Sequence, residues 1–302
     1  MRDAVARAIT EAARKRSDVI LVVADISPAA ALKTFLDENP TRIVDVGVSE
    51  QSMIGMAGGL AMTGLRPFCY TIAPFALYRP LEQIRIDLAY QDLPVVVIGV
   101  GAGLSYSALG ATHHTMEDVA IATAIPNMTV VAPCDPAETQ AAVIASFGLE
   151  GPMYLRVGKS GEPTLTAGAA EPFELGRIRK VREGSGTAML GYGPLLATAF
   201  AAVDEAGTQT AIYSVHTLKP LDLDRVDEIL ATHDHVVVLE EHVEHGGLGA
   251  QVRSHAQQSG AATKITAFHL PDEFLHTYGS KDDLLRTVGI TQESLADAIK
   301  KG

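Results

Sequence analysis

Cysteine is scarce. Cys69 and Cys134 are the two in 302 residues, and neither belongs to a CxxC or a Cys/His pattern. That leaves no footing for a disulfide framework or a thiolate zinc site, and both cysteines sit beside apolar segments, as buried thiols of a reducing compartment do. Positive charge is also short, with 24 Lys and Arg against 36 Asp and Glu and a formal net charge of −12. The balance excludes a general nucleic-acid or anionic-membrane surface, because both need a cationic face. A small phosphorylated substrate requires only a local basic pocket. No apolar run approaches the roughly 18 residues that span a bilayer. The opening stretch MRDAVARAITEAARKRSD is polar and amphipathic, without the apolar centre of a signal peptide. A cytoplasmic protein with no membrane or nucleic-acid partner is expected. Solenoid-length repeats and low-complexity tracts are absent too.

What is present is the material of two ordinary globular cores, with 47% hydrophobic and 20% charged residues over a length that suits two domains. Short β-branched runs alternate with helical patterns. VILVVA from Val19 reads as a buried strand, and PAAAL from Pro28 opens a helix. RIVDVG from Arg42, PFCYTI from Pro67, VVVIGV from Val95, MTVVAP from Met128 and PMYLRV from Pro152 are further strands. Helices are expected over Glu50–Met62 and Leu81–Tyr90, and from near Met116 and Asp135-Pro136. Strands without polar alternation, separated by helices, indicate a parallel sheet covered on both faces.

From Lys159 to Ala170 the periodicity fails and Gly, Pro, Ser and Thr collect, which marks a linker. Alternation then resumes through TAMLGYG, QTAIYSV, HVVVLEE and KITAFHL, with helices from Pro194, Asp224 and Gly249. A capping-box start at Thr291 opens the last helix. The expected organisation is two parallel-sheet α/β domains, 1–160 and 177–302, joined by a linker at 161–176.

The segment DVGVSEQSMIGMAGGLAMTG, Asp45 to Gly64, carries the most information. A strand ends, Gly47 opens the backbone, and Glu50 falls in the first turn of a helix whose Gly55, Gly58 and Gly59 let something approach closely. On position alone two readings stand: Glu50 caps its helix, or it faces a ligand at the carboxyl edge of an open sheet.

GVSEQSMIGMAGGLAMTG resembles the transketolase-superfamily segment G-V-x-E-x-x-M-x-x-x-A-x-G-x-A-x-x-G of the pyrimidine-binding domain. The resemblance implies that Glu50 hydrogen-bonds the aminopyrimidine of thiamine diphosphate and favours the imino tautomer that deprotonates the thiazolium carbon. Such a carboxyl group needs a desolvated site with raised proton affinity. TIAPFALYRPLEQIR, Thr71 to Arg85, is similar to the split-transketolase stretch T-F-A-x-F-A-x-x-R-x-x-E-Q-I-R. It implies that Phe75 packs on the pyrimidine, with Ile72 at the place of a first aromatic and Tyr78 one helical step beyond. Outside that register, Phe75 and Tyr78 read more readily as core or a helix face than as cofactor contacts.

GATHHTMEDVAIATAIPNMTVVAPCDPAET, from Gly110, resembles G-x-T-H-Q-x-x-E-D-x-A-x-x-R-x-I-P-N-x-x-V-x-x-P-x-D-x-x-E. The active-site histidine then maps to His113, with His114 in place of Gln as a neighbouring or substrate contact. Two adjacent histidines also read as a metal fragment or a helix cap, but no further ligands follow at suitable spacing. Arg156 in MYLRVGK falls near a phosphate-contacting arginine of the family, or is an ordinary strand-end residue. YSVHTLKPLD and LEEHVEHGGLGAQV resemble motifs of the family's C-terminal domain, so His216, His242 and His245 default to folding or interface roles.

Two departures bear on the outcome. The family's diphosphate site carries a G-D-G motif and a downstream Asn for Mg²⁺, and no GDG occurs here. The resemblance therefore implies a partner subunit that holds the diphosphate and Mg²⁺, in an α2β2 heterotetramer, with no metal held by this chain's own residues. Second, GVGAGLSYSALGATH lacks the polar groups that read donor hydroxyls in transketolases: Gly101 replaces a histidine, and Ala108 and Leu109 replace an acidic pair. A specialised two-carbon transfer is expected, to a sugar or sugar phosphate, from a ketose or a less hydroxylated donor such as a 2-oxo acid. Three other readings stay open: the β subunit of a 2-oxo acid dehydrogenase, a deoxyxylulose-phosphate-synthase-like activity, and a non-catalytic scaffold.

Overall fold

Residues 1–25 and 30–301 are described by the computed structural model. Six parallel strands of the first sheet come from the first half: β1 (Val19–Val23), β2 (Ile43–Asp45), β3 (Arg66–Ile72), β4 (Val96–Val100), β5 (Thr129–Val131) and β6 (Met153–Val157). The second half supplies β7 (Arg179–Arg182), β8 (Thr187–Gly191), β9 (Ala211–Ser214), β10 (Thr217–Lys219), β11 (His235–Val243) and β12 (Lys264–Leu270). The seven-stranded sheet has the order β10-β5-β6-β4-β3-β1-β2, and the five-stranded sheet β12-β11-β8-β9-β7. The expected two α/β layers are present. Both sheets, however, are mixed: β10 runs antiparallel to β5, and β7 antiparallel to β9.

Burial explains the lack of polar alternation. Every residue of β1, β4 and β6 is buried, because helices cover both faces. On one face Leu21 and Val23 pack with Val5 and Ile9 of the Arg2–Lys15 helix and with Val143 of the Pro136–Ser146 helix. On the other, Val22 and Val97 pack with Met53, Ile54 and Ala57 of the Glu50–Met62 helix and with Leu88.

One element differs from the sequence expectation. The helix expected over Leu81–Tyr90 is one short α turn, Leu81–Gln83, followed by a π-helical segment, Ile84–Ala89. The helix expected from near Met116 begins at Asp118, with Glu117 as its cap. The helix start expected at Pro28 lies outside the described residues; the helix itself is present over Ala30–Glu38. No helix among the described residues is long and apolar enough to cross a membrane.

Candidate active site

Strands β2, β3 and β4 are parallel, so the segments leaving their carboxyl ends emerge on the same edge of the sheet, where open α/β sheets bind ligands. After β2, Gly47 adopts φ +68, with nothing within 4 Å of where a Cβ would stand. Glycine is needed there for its conformation alone. Asp45 Oδ1 accepts from the Gly47 amide at 2.9 Å, and the chain turns so that Glu50 starts the Glu50–Met62 helix. The Glu50 side chain is only 5% exposed, and the helix N-terminus favours its negative charge.

After β3, Ile72 caps a short helix, Ala73–Leu77, which carries Phe75; Ile72 and Phe75 are both half-buried. Tyr78 continues in αR conformation, so Arg79, four residues beyond Phe75, folds back over the Phe75 ring. Its guanidinium carbon stands 3.9 Å from the ring centroid. Arg79 Nη1 donates to both Glu50 oxygens at 3.1 Å. After β4, the loop from Gly101 brings His113 edge-on to Phe75, with ring centroids 5.2 Å apart. Thr112 Oγ1 and His113 Nδ1 are hydrogen-bonded at 2.9 Å. Burial, reinforced by the neighbouring His114 and the Arg79 guanidinium, lowers the His113 pKa, which favours the neutral imidazole.

Glu50, Phe75 and His113 are thus brought together, linked through Arg79. Tyr78 and His114 are not in that group. They line an adjacent cavity of about 290 Å³ with Met116, Glu117, Ile121 and Phe274. The Tyr78 hydroxyl donates to Glu117 Oε2 at 2.8 Å. Burial, with Asp118 and Glu117 nearby, pushes its pKa well up. His114 is buried, with Nε2 against the Ser107 carbonyl at 3.3 Å and Nδ1 without a partner.

Arg156 is 3% exposed and donates through Nε to Asp118 Oδ2 at 2.8 Å. Its Nη2 donates to the Thr115 and Glu241 carbonyls, so Nε and Nη2 tie the fold together. Gly101 has φ +71, and a Cβ there would lie 2.1 Å from Cε2 of Tyr106. Tyr106 therefore takes the space a side chain at 101 would need. Its ring also faces His113 edge-on at 6.0 Å and lies under Lys159 Nζ at 4.8 Å. Leu109 is 52% exposed, on the 3-10 turn Ser107–Leu109.

Sequence reasoning did not single out Arg79 or Tyr106. The signal for Arg79 was its helical spacing from Phe75. Nothing in the pattern paired Tyr106 with Gly101, because that contact arises from the folding of a loop.

The model of the transketolase pyrimidine-binding domain matches residues 1–162, and that of the transketolase C-terminal domain residues 176–295. The chain is 30% identical over 290 residues to one of the subunits of apulose-4-phosphate transketolase from Phocaeicola vulgatus, covering 95% of this chain and 92% of that protein. It is 34% identical over 300 residues to 1-deoxy-D-xylulose-5-phosphate synthase of Chlorobium luteolum, covering 97% of this chain but only 47% of that protein. Among solved structures, a split-gene transketolase described as an inactive β4 tetramer superposes with a TM-score of 0.87 at 30% identity, covering 99% of this chain and 96% of that one. Fold, motif order and extent agree, and the chain belongs to the transketolase family as a split-transketolase subunit carrying its pyrimidine-binding and C-terminal domains.

Proposed function

We propose that this chain is the pyrimidine-side subunit of a thiamine diphosphate-dependent enzyme that transfers a two-carbon unit from a ketose or 2-oxo acid donor to an aldehyde or sugar acceptor. It acts with a partner subunit that carries the diphosphate-binding domain and holds Mg²⁺, in an α2β2 assembly. Residues 1–160 and 177–302 serve as its two domains, with 161–176 as the linker. The observation that carries this reading is the convergence of Glu50, Phe75 and His113 on one sheet edge.

The residues present fit the cofactor's pyrimidine end. A flat, N–H-bearing group, the Arg79 guanidinium, already sits between the Glu50 carboxylate and the Phe75 ring, and an aminopyrimidine presents the same kind of surface to the same two groups. When bound, thiamine diphosphate supplies the carbanion chemistry that lets a bond beside a carbonyl break and re-form. Glu50 holds a proton at the pyrimidine ring nitrogen, Phe75 orients the ring, and the neutral His113 moves a proton at the substrate oxygen. The aromatic and apolar groups at Tyr106, Ala108 and Leu109 favour a donor with fewer hydroxyls than the usual ketose phosphate. Tyr78, Ile72 and His114 flank this centre as pyrimidine-side and substrate-side neighbours.

The test is reconstitution of the complex with thiamine diphosphate and Mg²⁺. Replacing Glu50 by Ala is expected to lower kcat by about 10²–10⁴-fold, the scale of a lost proton-transfer group. Unchanged activity would instead indicate a scaffold subunit. Efficient turnover of xylulose 5-phosphate with ribose 5-phosphate would refute the altered donor preference. An assay that accepts only a lipoyl acceptor would favour the 2-oxo acid dehydrogenase reading.

A further inference from the structure

Arg79 occupies two surfaces at once. Its Nη1 reaches both Glu50 oxygens at 3.1 Å, and its guanidinium carbon lies 3.9 Å from the Phe75 ring centroid. We infer that Arg79 is a placeholder for the cofactor's pyrimidine ring, filling the seat between Glu50 and Phe75 in the free chain and swinging outward when the seat is loaded. The inference rests on the proposed function above and adds to it a positioning residue and an exchange step.

Three features make the exchange physically reasonable. The first is chemical likeness. Guanidinium is planar and delocalised, carries N–H groups on its edge, and stacks on aromatic faces. An aminopyrimidine offers a carboxylate and an aromatic ring the same flat face and N–H edge. The second is the cost of leaving Glu50 alone. At 5% exposure an unpaired carboxylate is strongly disfavoured. Exchanging one N–H-bearing partner for another keeps Glu50 paired before and after loading.

The third is that Arg79 is held lightly. Its side chain is 47% exposed. It also reaches Glu50 through one nitrogen, rather than through the two-nitrogen fork that makes the strongest arginine pairs. The exposed guanidinium leaves the pair open to solvent and to screening by salt. Arg79 follows the C-cap of the helix that carries Phe75, one turn beyond that ring, so a rotamer change alone vacates the seat and no element has to move.

A seat occupied nine-tenths of the time by an internal group lowers apparent affinity by about tenfold. The experiment is calorimetric titration of the full chain with 4-amino-5-hydroxymethyl-2-methylpyrimidine, which needs neither the partner nor turnover. Arg79→Ala is expected to bind this probe about tenfold tighter than wild type. Arg79→Lys keeps the charge but not the planar cover and falls between them, and it carries the comparison if the alanine variant fails to fold. Wild-type affinity is expected to rise as NaCl is added, because salt weakens the Arg79–Glu50 pair; the Arg79→Ala affinity is not. Arg79 variants that bind no tighter than wild type, or that do not bind, overturn the inference. The underlying reading has its own control: adding Glu50→Gln to Arg79→Ala should abolish binding, and unchanged binding there would overturn the proposed role of Glu50 itself.

Discussion

Gly101 shapes the site by having no side chain. Its φ of +71 is already unfavourable for any other residue, and a Cβ would stand 2.1 Å from the Tyr106 ring. Glycine and tyrosine are therefore coupled: the ring lies where a side chain at 101 would project, beside His113. The absence of a polar side chain at 101 was legible from the motif. The identity of the group that fills the space was not, because it depends on the path of the 101–113 loop. Gly101→Ala is expected to destabilise the fold by about 2 kcal/mol or more, from left-handed backbone strain plus displacement of the ring. In a Tyr106→Ala background the same substitution should cost only about 1 kcal/mol, the backbone part. Urea denaturation of the four proteins measures the coupling, and additive losses would show that the two residues are independent.

Elements deliver the site where single residues only furnish it. β2, β3 and β4 end on one edge, and each hands a motif to it: Glu50, the Phe75–Arg79 turn, and the loop to His113. This much was readable, since uniform apolar strands announce a parallel sheet and a parallel sheet puts all such segments on one side. The π-helical segment Ile84–Ala89 was not readable. At 6 residues the segment is little more than one turn, too short for its wider period to show in the apolar spacing, so periodicity reads it as α. Its place against the Glu50–Met62 helix depends on Gly58, where a Cβ would stand 3.2 Å from the Asp87 carbonyl oxygen, while Gly59 meets nothing within 4 Å. The expected close approach to that helix is therefore internal to the fold at Gly58. Arg156 also belongs to this scale, because it ties β6 to the start of the Asp118–Ala124 helix and to the β11 carbonyl of Glu241. Arg156→Met leaves Asp118 buried without its cation and is expected to cost about 3–5 kcal/mol, measured by chemical denaturation. A variant that keeps wild-type stability but loses affinity for a phosphorylated substrate would favour a phosphate-binding role.

At the scale of the whole molecule, the two halves share one core. A single apolar cluster runs from Met53 and Val97 of the first sheet's layer to Leu190 and Val238 of the second. β10 leaves the second half to pair with β5, and the Ser214 hydroxyl donates to Glu138 at 2.9 Å across the junction. His216 lies at this crossing. Its carbonyl accepts from the Ala132 amide at 2.7 Å, and its ring stacks on Phe173 at 4.1 Å. Burial, reinforced by Arg179, holds its pKa down to about 3 against an ordinary 6.5. In the folded protein His216 therefore stays neutral over a range where the unfolded chain takes up a proton. Its contribution to stability is complete above pH 6.5 and is lost as pH falls from there toward about 3. The limiting slope is about 1.4 kcal/mol per pH unit. Between pH 7.5 and pH 5 that amounts to about 2 kcal/mol, and the loss falls on the contact that joins the halves. Buried Glu138 and Glu240 have raised pKa values from desolvation and act in the opposite sense, so the His216 part is isolated as a difference. Wild type should lose about 2 kcal/mol more than His216→Gln over that interval, by urea melts at the two pH values. Parallel losses would show that the junction does not exclude the proton from His216.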